Sequence, residues 1–312
     1  MKAPSCPLCV NTNISIVETI EVAELISLYK SSNKTDVSPY FTGMNTINLC
    51  CCEACQLMFY SPIVLGDGMF YDKLQINKNY YPKHKQEFDI AKQYIQKTDK
   101  VLEAGSGAGY FGDLIKVNNY TGLEFSNDAI EAAHKKGLKV INESLATHTQ
   151  HHANSYDVVC SFQVLEHIAD PNNFIADCIK CLKPNGKLIF AVPSEDSFLG
   201  DATNQFLNAP PHHATRWRDT TFEKIAILFD VQLIAIKHDV FWENFRRYYF
   251  RLLMFHKLRK IFGLPFKRYD TSLRFKLIDV TAYITSRVFD SFKKTAVDGP
   301  HVTVIYEKTF KP

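Results

Sequence analysis

Apolar and polar positions follow two different periods along the middle of the chain. Short apolar runs such as KVLEAG (100–105) and YDVVCSF (156–162) have the length of single strands, and stretches with apolar residues three or four apart separate them. Strands that alternate with helices of about ten residues indicate βαβ units and a parallel sheet. The pattern therefore predicts an α/β fold.

Local signals predict where several elements begin and end. Ser126 is placed to cap one helix and Gly137 to end it, and Asp170 with Pro171 is placed to begin another. The last two strands are VQLIAIKHDV (231–240) and HVTVIYEK (301–308). Nearer the N-terminus, the spacing of apolar residues predicts helices over 18–30 and 85–97.

These elements divide the chain into four parts. Residues 1–62 form a small N-terminal unit, and 63–97 an aromatic linker with a helix. The α/β domain comprises 98–241 and 295–312, and residues 242–294 are inserted before its last strand. No stretch approaches the roughly 18 continuous apolar residues of a membrane span, and the first residues contain no apolar signal sequence. We expect a cytoplasmic protein.

The N-terminal unit carries two C-x-x-C sequences. Cys6 and Cys9 form the first and Cys52 and Cys55 the second, with Cys50 and Cys51 as alternatives to Cys52. In a reducing compartment, two such pairs predict a structural zinc site with four thiolates. The alternative is a set of unliganded cysteines.

Basic residues are concentrated in the insertion. The whole chain has 36 Lys and Arg against 33 Asp and Glu, but residues 242–294 hold 13 against 4. In the stretch 242–262, apolar residues from Trp242 to His256 share one helical face. This segment is interpreted as a peripheral contact with the inner membrane surface, a lid over an anionic substrate, or a packing or dimer element. The oligomeric state is left open.

A glycine-rich turn follows the strand KVLEA. The turn VLEAGSGAGYFG fits the dinucleotide pattern G-x-G-x-x-G through Gly107, Gly109 and Gly112, which is a weak signal when it stands alone. It also fits E-x-G-x-G-x-G, from Glu103 to Gly109. Either way, glycines let a backbone approach a ligand closely at a helix N-terminus.

The second pattern resembles motif I of the class I methyltransferases that use S-adenosylmethionine (SAM). GLEFS, YDVVCSFQVLEHIADP, LKPNGKLIFAVP and the final pair of strands resemble later parts of the same family, in the same order. The resemblance implies a Rossmann-like sheet, mostly parallel, whose last strand is antiparallel. It also implies that Glu103 faces the methionine end of SAM and Glu124 the ribose. The cofactor-binding residues so implied are Tyr81, Glu103, Gly105, Ser106, Gly107, Gly109, Tyr110, Glu124, Phe125, Phe162 and Gln163.

Histidines supply the candidates for a general base, because histidine titrates nearest to pH 7. His167 follows the strand YDVVCSF, and His212 and His213 lie in NAPPHHATRW after the next strand. Adjacent residues of an extended loop point to opposite sides, so we expect only one of His212 and His213 to act. Arg216 is expected to hold an anionic group of the substrate.

The predicted activity is transfer of a methyl group to a hydroxyl or carbon atom of a small molecule, such as a sugar or nucleotide-sugar precursor. The zinc-binding segment with the glycine-rich domain resembles bacterial small-molecule methyltransferases. Two alternatives are an RNA methyltransferase and a SAM-binding protein without activity. The sequence Ser161-Phe162-Gln163 stands where methyltransferases of nucleic-acid amino groups often carry Pro-Pro-aromatic, which argues against a nucleic-acid partner.

Overall fold

Two β-sheets organise the computed structural model, which describes residues 4–75, 84–241, 243–289 and 298–309. The strands are β1 (Ile14–Glu21), β2 (Thr46–Cys52), β3 (Met58–Ser61), β4 (Lys100–Ala104), β5 (Asn119–Leu123), β6 (Val140–Ile141), β7 (Tyr156–Phe162), β8 (Leu182–Pro193), β9 (Thr215–Arg216), β10 (Val231–Val240) and β11 (Asp298–Lys308). The helices are α1 (Val22–Asn33), α2 (Gly68–Gln75), α3 (Gln86–Lys92), α4 (Tyr110–Ile115), α5 (Asn127–His134), α6 (Leu145–His151), α7 (Pro171–Cys181), α8 (Asp219–Leu228), α9 (Glu243–Ile261) and α10 (Leu273–Phe289).

The larger sheet has seven strands in the order β10-β11-β8-β7-β4-β5-β6. β11 runs antiparallel to both of its neighbours, and the pairs among β8, β7, β4, β5 and β6 are parallel. Successive residues of one strand enter different cores: Val101 and Leu102 belong to separate clusters on the two faces. Both faces are therefore buried, as the predicted Rossmann-like fold requires, and that prediction is confirmed.

The smaller sheet is antiparallel, in the order β1-β2-β3-β9. Its last strand is residues 215–216, from the loop after β8. The first 62 residues therefore do not complete this sheet by themselves. The predicted helix over 18–30 begins only at Val22, because β1 pairs with β2 as far as Glu21.

The insertion before β11 is a helical pair. Phe255 contacts Phe275 and Arg251 is bound to Asp279, so α9 and α10 pack antiparallel. The aromatic side of α9 covers Phe198, in the loop after β8, and does not face outward. The apolar face predicted for 242–262 is thus an internal packing surface, although Trp242 itself lies outside the described residues. Among the described residues, no helix has the length and apolar character needed to cross a bilayer.

Candidate active site

The glycine-rich loop lies where the parallel strands end at their carboxyl side. Gly105 and Gly109 have φ angles of 79° and 71°, which side chains disfavour. A Cβ atom on Gly105 would lie 2.4 Å from Cγ2 of Val164, whereas one on Gly107 would meet no heavy atom within 4 Å. The loop is therefore packed tightly behind Gly105 and open in front of Gly107. This open face is where a ligand could approach the backbone.

Glu124 follows β5 and is fixed against this loop. Its Oε2 accepts a hydrogen bond from the Gly107 N–H at 2.8 Å. Its Oε1 accepts from the N–H groups of Phe125 and Ser126, at 2.8 and 2.9 Å. The Phe125 side chain is 69% exposed beside it. The carboxylate is thus held in one orientation next to the open face, where the sequence resemblance predicts the ribose hydroxyls.

Replacing Glu124 with alanine is expected to weaken SAM binding about 10- to 100-fold, because hydrogen bonds to a charged group contribute about 1.5–3 kcal/mol. Calorimetric titration of the full chain with SAM measures this. Glu131→Ala removes an exposed carboxylate from α5 and should leave the affinity unchanged. Equal affinities of the Glu124→Ala variant and the wild type would contradict the ribose role.

Glu103, at the end of β4, is buried with 2% exposure. Its Oε2 accepts a hydrogen bond from the Tyr120 hydroxyl at 2.5 Å. Burial raises the pKa of this carboxyl to about 8, although the hydrogen bond from Tyr120 lowers it. A cationic group beside Glu103 would favour its ionised form. The prediction that it faces the methionine end of SAM is chemically consistent with this environment.

Two other predicted cofactor residues belong to the same loop. The Ser106 N–H donates to the Leu123 carbonyl at 3.0 Å, which ties the loop to β5. Tyr110 begins α4, and the Lys136 ammonium lies 4.6 Å from the centre of its ring. Tyr81 lies outside the described residues.

Phe162 ends β7 and Gln163 follows it, and the two side chains have different surroundings. The Phe162 ring is buried, 4.5 Å from Phe111 and 5.1 Å from Phe88 between ring centres, so it packs in the core. Gln163 has a φ of 57°, and its Nε2 donates to Oε1 of Glu87 at 3.2 Å. Their contact with SAM stays a prediction. The Gln163 side chain also links β7 to α3.

His167, His212 and His213 come together at this edge. The His167 ring lies 4.6 Å from the His212 ring and 4.7 Å from the His213 ring, at an angle of 77° to each. The rings of His212 and His213 are 4.5 Å apart and inclined by 20°. The expectation that these neighbours point to opposite sides is therefore wrong, because the loop stacks their rings.

Each of these three rings is held through its Nδ1 atom. Nδ1 of His167 donates to the His212 carbonyl at 2.6 Å, and Nδ1 of His212 donates to the Leu207 carbonyl at 2.6 Å. Nδ1 of His213 donates to Oδ1 of Asn208 at 2.9 Å. The proton of each neutral ring is therefore on Nδ1 and the lone pair on Nε2.

Burial keeps this histidine cluster neutral. It lowers the pKa of His167 to about 4 and, together with repulsion from His167, that of His212 to about 3. It also holds the pKa of His213 well below its usual range. A base with so low a pKa removes protons poorly near pH 7. The cluster is better suited to accepting a hydrogen bond than to taking a proton.

The N-terminal unit supports the loop that carries His212 and His213. The Tyr29 hydroxyl donates to the Ala209 carbonyl at 2.9 Å, and the Tyr60 hydroxyl donates to the Asn208 carbonyl at 2.8 Å. The Tyr71 hydroxyl lies 3.2 Å from Nδ1 of His167. Helix α1, strand β3 and helix α2 therefore help to position the candidate acceptor side.

Arg216 is paired with a carboxylate of the protein. The side chain is buried, and its Nε donates to Oε2 of Glu195 at 2.7 Å. Arg268 binds the other oxygen of Glu195 at 2.8 Å. An anion-binding role for Arg216 stays a prediction, and Glu195 already neutralises its charge.

His301 is a candidate that sequence reasoning missed. His301 lies in β11, where it pairs with Pro193 at the end of β8. Its Nδ1 donates a hydrogen bond to Oδ2 of Asp239 at 2.9 Å. Oε2 of Glu87 lies 3.9 Å from the same nitrogen. Burial lowers the pKa of His301, but Asp239 and Glu87 raise it, and the result is above the usual value. In the sequence, His301 is one residue of a predicted strand and Asp239 is 62 residues away. No local pattern therefore indicates that the two residues form a pair.

The four cysteines of the two C-x-x-C sequences form one cluster. The Sγ atoms of Cys6 and Cys55 are 3.5 Å apart, as are those of Cys9 and Cys52, and all four lie within 4.8 Å of one another. Tetrahedral zinc with bonds of about 2.3 Å separates its sulfur ligands by about 3.8 Å. The donor set therefore fits zinc. It contains Cys52 and neither Cys50 nor Cys51.

Among the residues that the structure describes, two other clusters have potential ligand atoms within 4.8 Å of one another: the three histidines described above, and Glu87 with Asp239 and His301. The nearly parallel rings of His212 and His213 cannot both direct an in-plane lone pair at one ion. In the second cluster, Nδ1 of His301 is already bound to Asp239. Hydrogen bonding accounts for both arrangements.

Comparison with known proteins finds similarity between this chain and methyltransferases. The family model described as "Methyltransferase domain" matches residues 77–235, about half of the chain. A "Ubiquinone biosynthesis O-methyltransferase" of Vibrio atlanticus (strain LGP32) is 31% identical over 110 residues, which are 31% of this chain and 46% of that protein. A protein of the same name from Pectobacterium carotovorum subsp. carotovorum (strain PC1) is 30% identical over 100 residues, 30% of this chain and 42% of its own.

The matches thus span less than half the length of these curated relatives. Among solved structures, a SAM dependent methyltransferase from Archaeoglobus fulgidus aligns with a TM-score of 0.48 and 17% identity, covering 78% of this chain and all of its own. Coclaurine N-methyltransferase aligns with a TM-score of 0.45 and 14% identity, over 72% of this chain and 70% of its own.

Proposed function

Because the chain belongs to the methyltransferase domain family, we propose that it uses SAM to methylate a hydroxyl oxygen of a small molecule. The observation that carries this proposal is the His301–Asp239 pair, which offers an imidazole of raised pKa at the carboxyl edge of the sheet. A hydroxyl nucleophile has to lose a proton during transfer, and an oriented imidazole can accept it.

SAM supplies the electrophilic methyl group. In the proposed reaction the acceptor oxygen forms a bond to that methyl carbon while the bond between carbon and sulfur breaks, leaving S-adenosylhomocysteine. The acceptor proton passes to Nε2 of His301, and Asp239 stabilises the imidazolium through Nδ1–H. Nε2 of His167, whose side chain is 17% exposed, accepts a hydrogen bond from the acceptor and orients it.

The acceptor is proposed to be an uncharged hydroxylated molecule. The relatives described above are O-methyltransferases by name, which supports transfer to oxygen. Uncharged sugars stay candidates from the sequence, and a nucleotide-sugar precursor is the anionic alternative. Since Glu195 neutralises Arg216, an anionic acceptor would need another cationic partner. Methylation of carbon is the second possibility for a small molecule.

A screen of acceptors tests this proposal. The full chain with SAM is supplied with phenols, sugars, nucleotide sugars and RNA in separate reactions, and formation of S-adenosylhomocysteine is measured. We expect turnover with a hydroxylated small molecule and a product methylated on oxygen. Turnover with RNA alone would overturn the proposal in favour of a nucleic-acid methyltransferase. Tight SAM binding with no turnover on any acceptor would favour a binding protein without activity.

The cysteine cluster is proposed to hold a structural zinc ion. Four thiolates would leave no open position for a substrate, and reduced thiols agree with the expected cytoplasmic location. We expect about one zinc ion per chain in protein purified without added metal. Cys55→Ser should lower that content, while Cys178→Ser, which changes a buried cysteine of α7, should not. Equal zinc contents in wild type and Cys55→Ser would contradict the assignment.

A further inference from the structure

The helix α10 has a second apolar side that the described part of the chain leaves exposed. Its buried side, with Ile278, faces α9. The opposite side carries apolar residues spaced four, three and four apart, as one helical face requires. They are strongly exposed: Leu273 by 78%, Leu277 by 70%, Val280 by 57% and Ile284 by 58%. We call these four residues the outer stripe.

Two more apolar residues are exposed at the end of α9. Because α9 and α10 pack antiparallel, the last residues of α9 lie beside the first turn of α10. Ile261 and Phe262 are there, exposed by 75% and 64%. Scattered apolar residues are normal on a protein surface, but an aligned set of this kind marks an interaction site.

Basic residues border the outer stripe. With 100° per residue, Lys276 and Arg287 fall along one side of it and Arg274 along the other, and all three are exposed. The helical pair and its connection, residues 243–289, hold 11 Lys and Arg against 3 Asp and Glu. One of those acids, Asp279, is bound to Arg251. The surface is thus apolar in the middle and cationic at its edges.

We propose that the outer stripe docks on an acidic lipid surface, with α10 lying in the plane of the interface. An apolar face bordered by Lys and Arg is the arrangement that an anionic bilayer binds, since acyl chains take up the stripe and lipid phosphates pair with the cations. A second copy of this chain would instead bring two sets of basic residues together. The positive charge around the outer stripe therefore favours an anionic membrane over a second copy of the chain.

Docking would occur close to the candidate acceptor side. Nε2 of Gln205 donates to the Tyr248 hydroxyl at 2.5 Å, and Asn204 exchanges two hydrogen bonds with Asp270. These contacts join the helical pair to the loop that carries His212 and His213. The proposal does not depend on the identity of the acceptor, because the stripe and its basic border are present whatever the enzyme methylates.

Vesicle flotation tests docking with the full chain. The probes are vesicles of phosphatidylcholine alone and of an equal mixture of phosphatidylcholine and phosphatidylglycerol. We expect binding to the mixture, weakened by salt, and little binding to phosphatidylcholine alone. Leu277→Gln with Ile284→Gln should weaken binding about tenfold or more, and Lys276→Gln with Arg287→Gln by a similar factor.

Ile227→Gln is the matched control, because Ile227 is 74% exposed on α8, away from the insertion. It should bind vesicles as the wild type does. Unchanged binding by the Leu277/Ile284 variant would overturn the proposal. So would a wild-type dimer that ignores vesicles and dissociates in that variant, since the stripe would then join two copies. SAM affinity and methylation of a water-soluble acceptor should be unchanged in these variants, so failure of docking is distinguishable from failure of the proposed reaction.

Discussion

Replacing His301 with alanine is expected to lower kcat by about 10²- to 10⁴-fold, the usual contribution of a general base. The affinity for SAM should stay the same, because Glu124 and the glycine-rich loop are on other strands. Rapid-mixing and steady-state assays with the acceptor found by screening give kcat, and calorimetry gives the SAM affinity. His238→Asn is the control, since His238 pairs with Asp219 rather than with the site.

The pH profile separates this role from a structural one. A base works only when unprotonated, so the raised pKa of His301 places the acid limb of kcat/KM above about pH 6.5. Asp239→Asn keeps a hydrogen-bond acceptor but removes the charge, and should move that limb to lower pH. If His301→Ala retained kcat within about threefold while His213→Ala lost it, the base would belong to the histidine cluster.

Replacing Glu195 with glutamine is expected to reduce the free energy of unfolding by about 3–5 kcal/mol. The variant leaves the buried charge of Arg216 without its carboxylate, and Arg268 loses the same partner. Urea unfolding of the full chain measures the loss. Asp196→Asn serves as control, because its 4.0 Å pair with Arg218 is partly exposed and should contribute less than about 1 kcal/mol.

The loss should depend on pH. Burial raises the pKa of Glu195, but the charges of Arg216 and Arg268 lower it by more. The pKa in the folded protein is therefore below 4.5. Its stabilisation is therefore present above pH 4.5 and disappears as the pH falls through the lowered pKa. The difference between wild type and variant should shrink at acid pH. A constant difference across this range would mean that the carboxylate charge is not its cause.

Local chemistry explains what could be predicted about the cofactor side. Positive φ angles at Gly105 and Gly109 are needed by the chain itself, and Glu124 binds N–H groups one and two residues away. Constraints between residues so close in the chain can be recognised in the sequence itself. Ser126 and Asp170 cap their helices as predicted for the same reason.

The arrangement of the acceptor side could not be predicted, because its contacts join residues that are far apart in the sequence. His167 meets His212 across 45 residues, and His301 meets Asp239 across 62. The charge of Arg216 is set by Glu195 and Arg268, which lie on separate parts of the chain. No local pattern encodes these partners, so the sequence alone does not reveal that Arg216 is paired with Glu195.

The insertion shows the same limit. The periodicity of the sequence predicted an apolar face on 242–262, but in the structure this face of α9 packs against Phe198. The exposed apolar stripe belongs to α10. A helix that is apolar on two opposite sides has little net amphipathic signal.

The sequence by itself determined the α/β fold, the glycine-rich turn with Glu124, and the two cysteine pairs, because periodicity, backbone conformation and ligand spacing act over short stretches. Only the tertiary structure decided which histidine is hydrogen-bonded to a carboxylate, which arginine is neutralised in a buried ion pair, and which helix face is exposed. Those properties depend on burial and on charges brought together from separate strands, and burial exists only once the chain has folded.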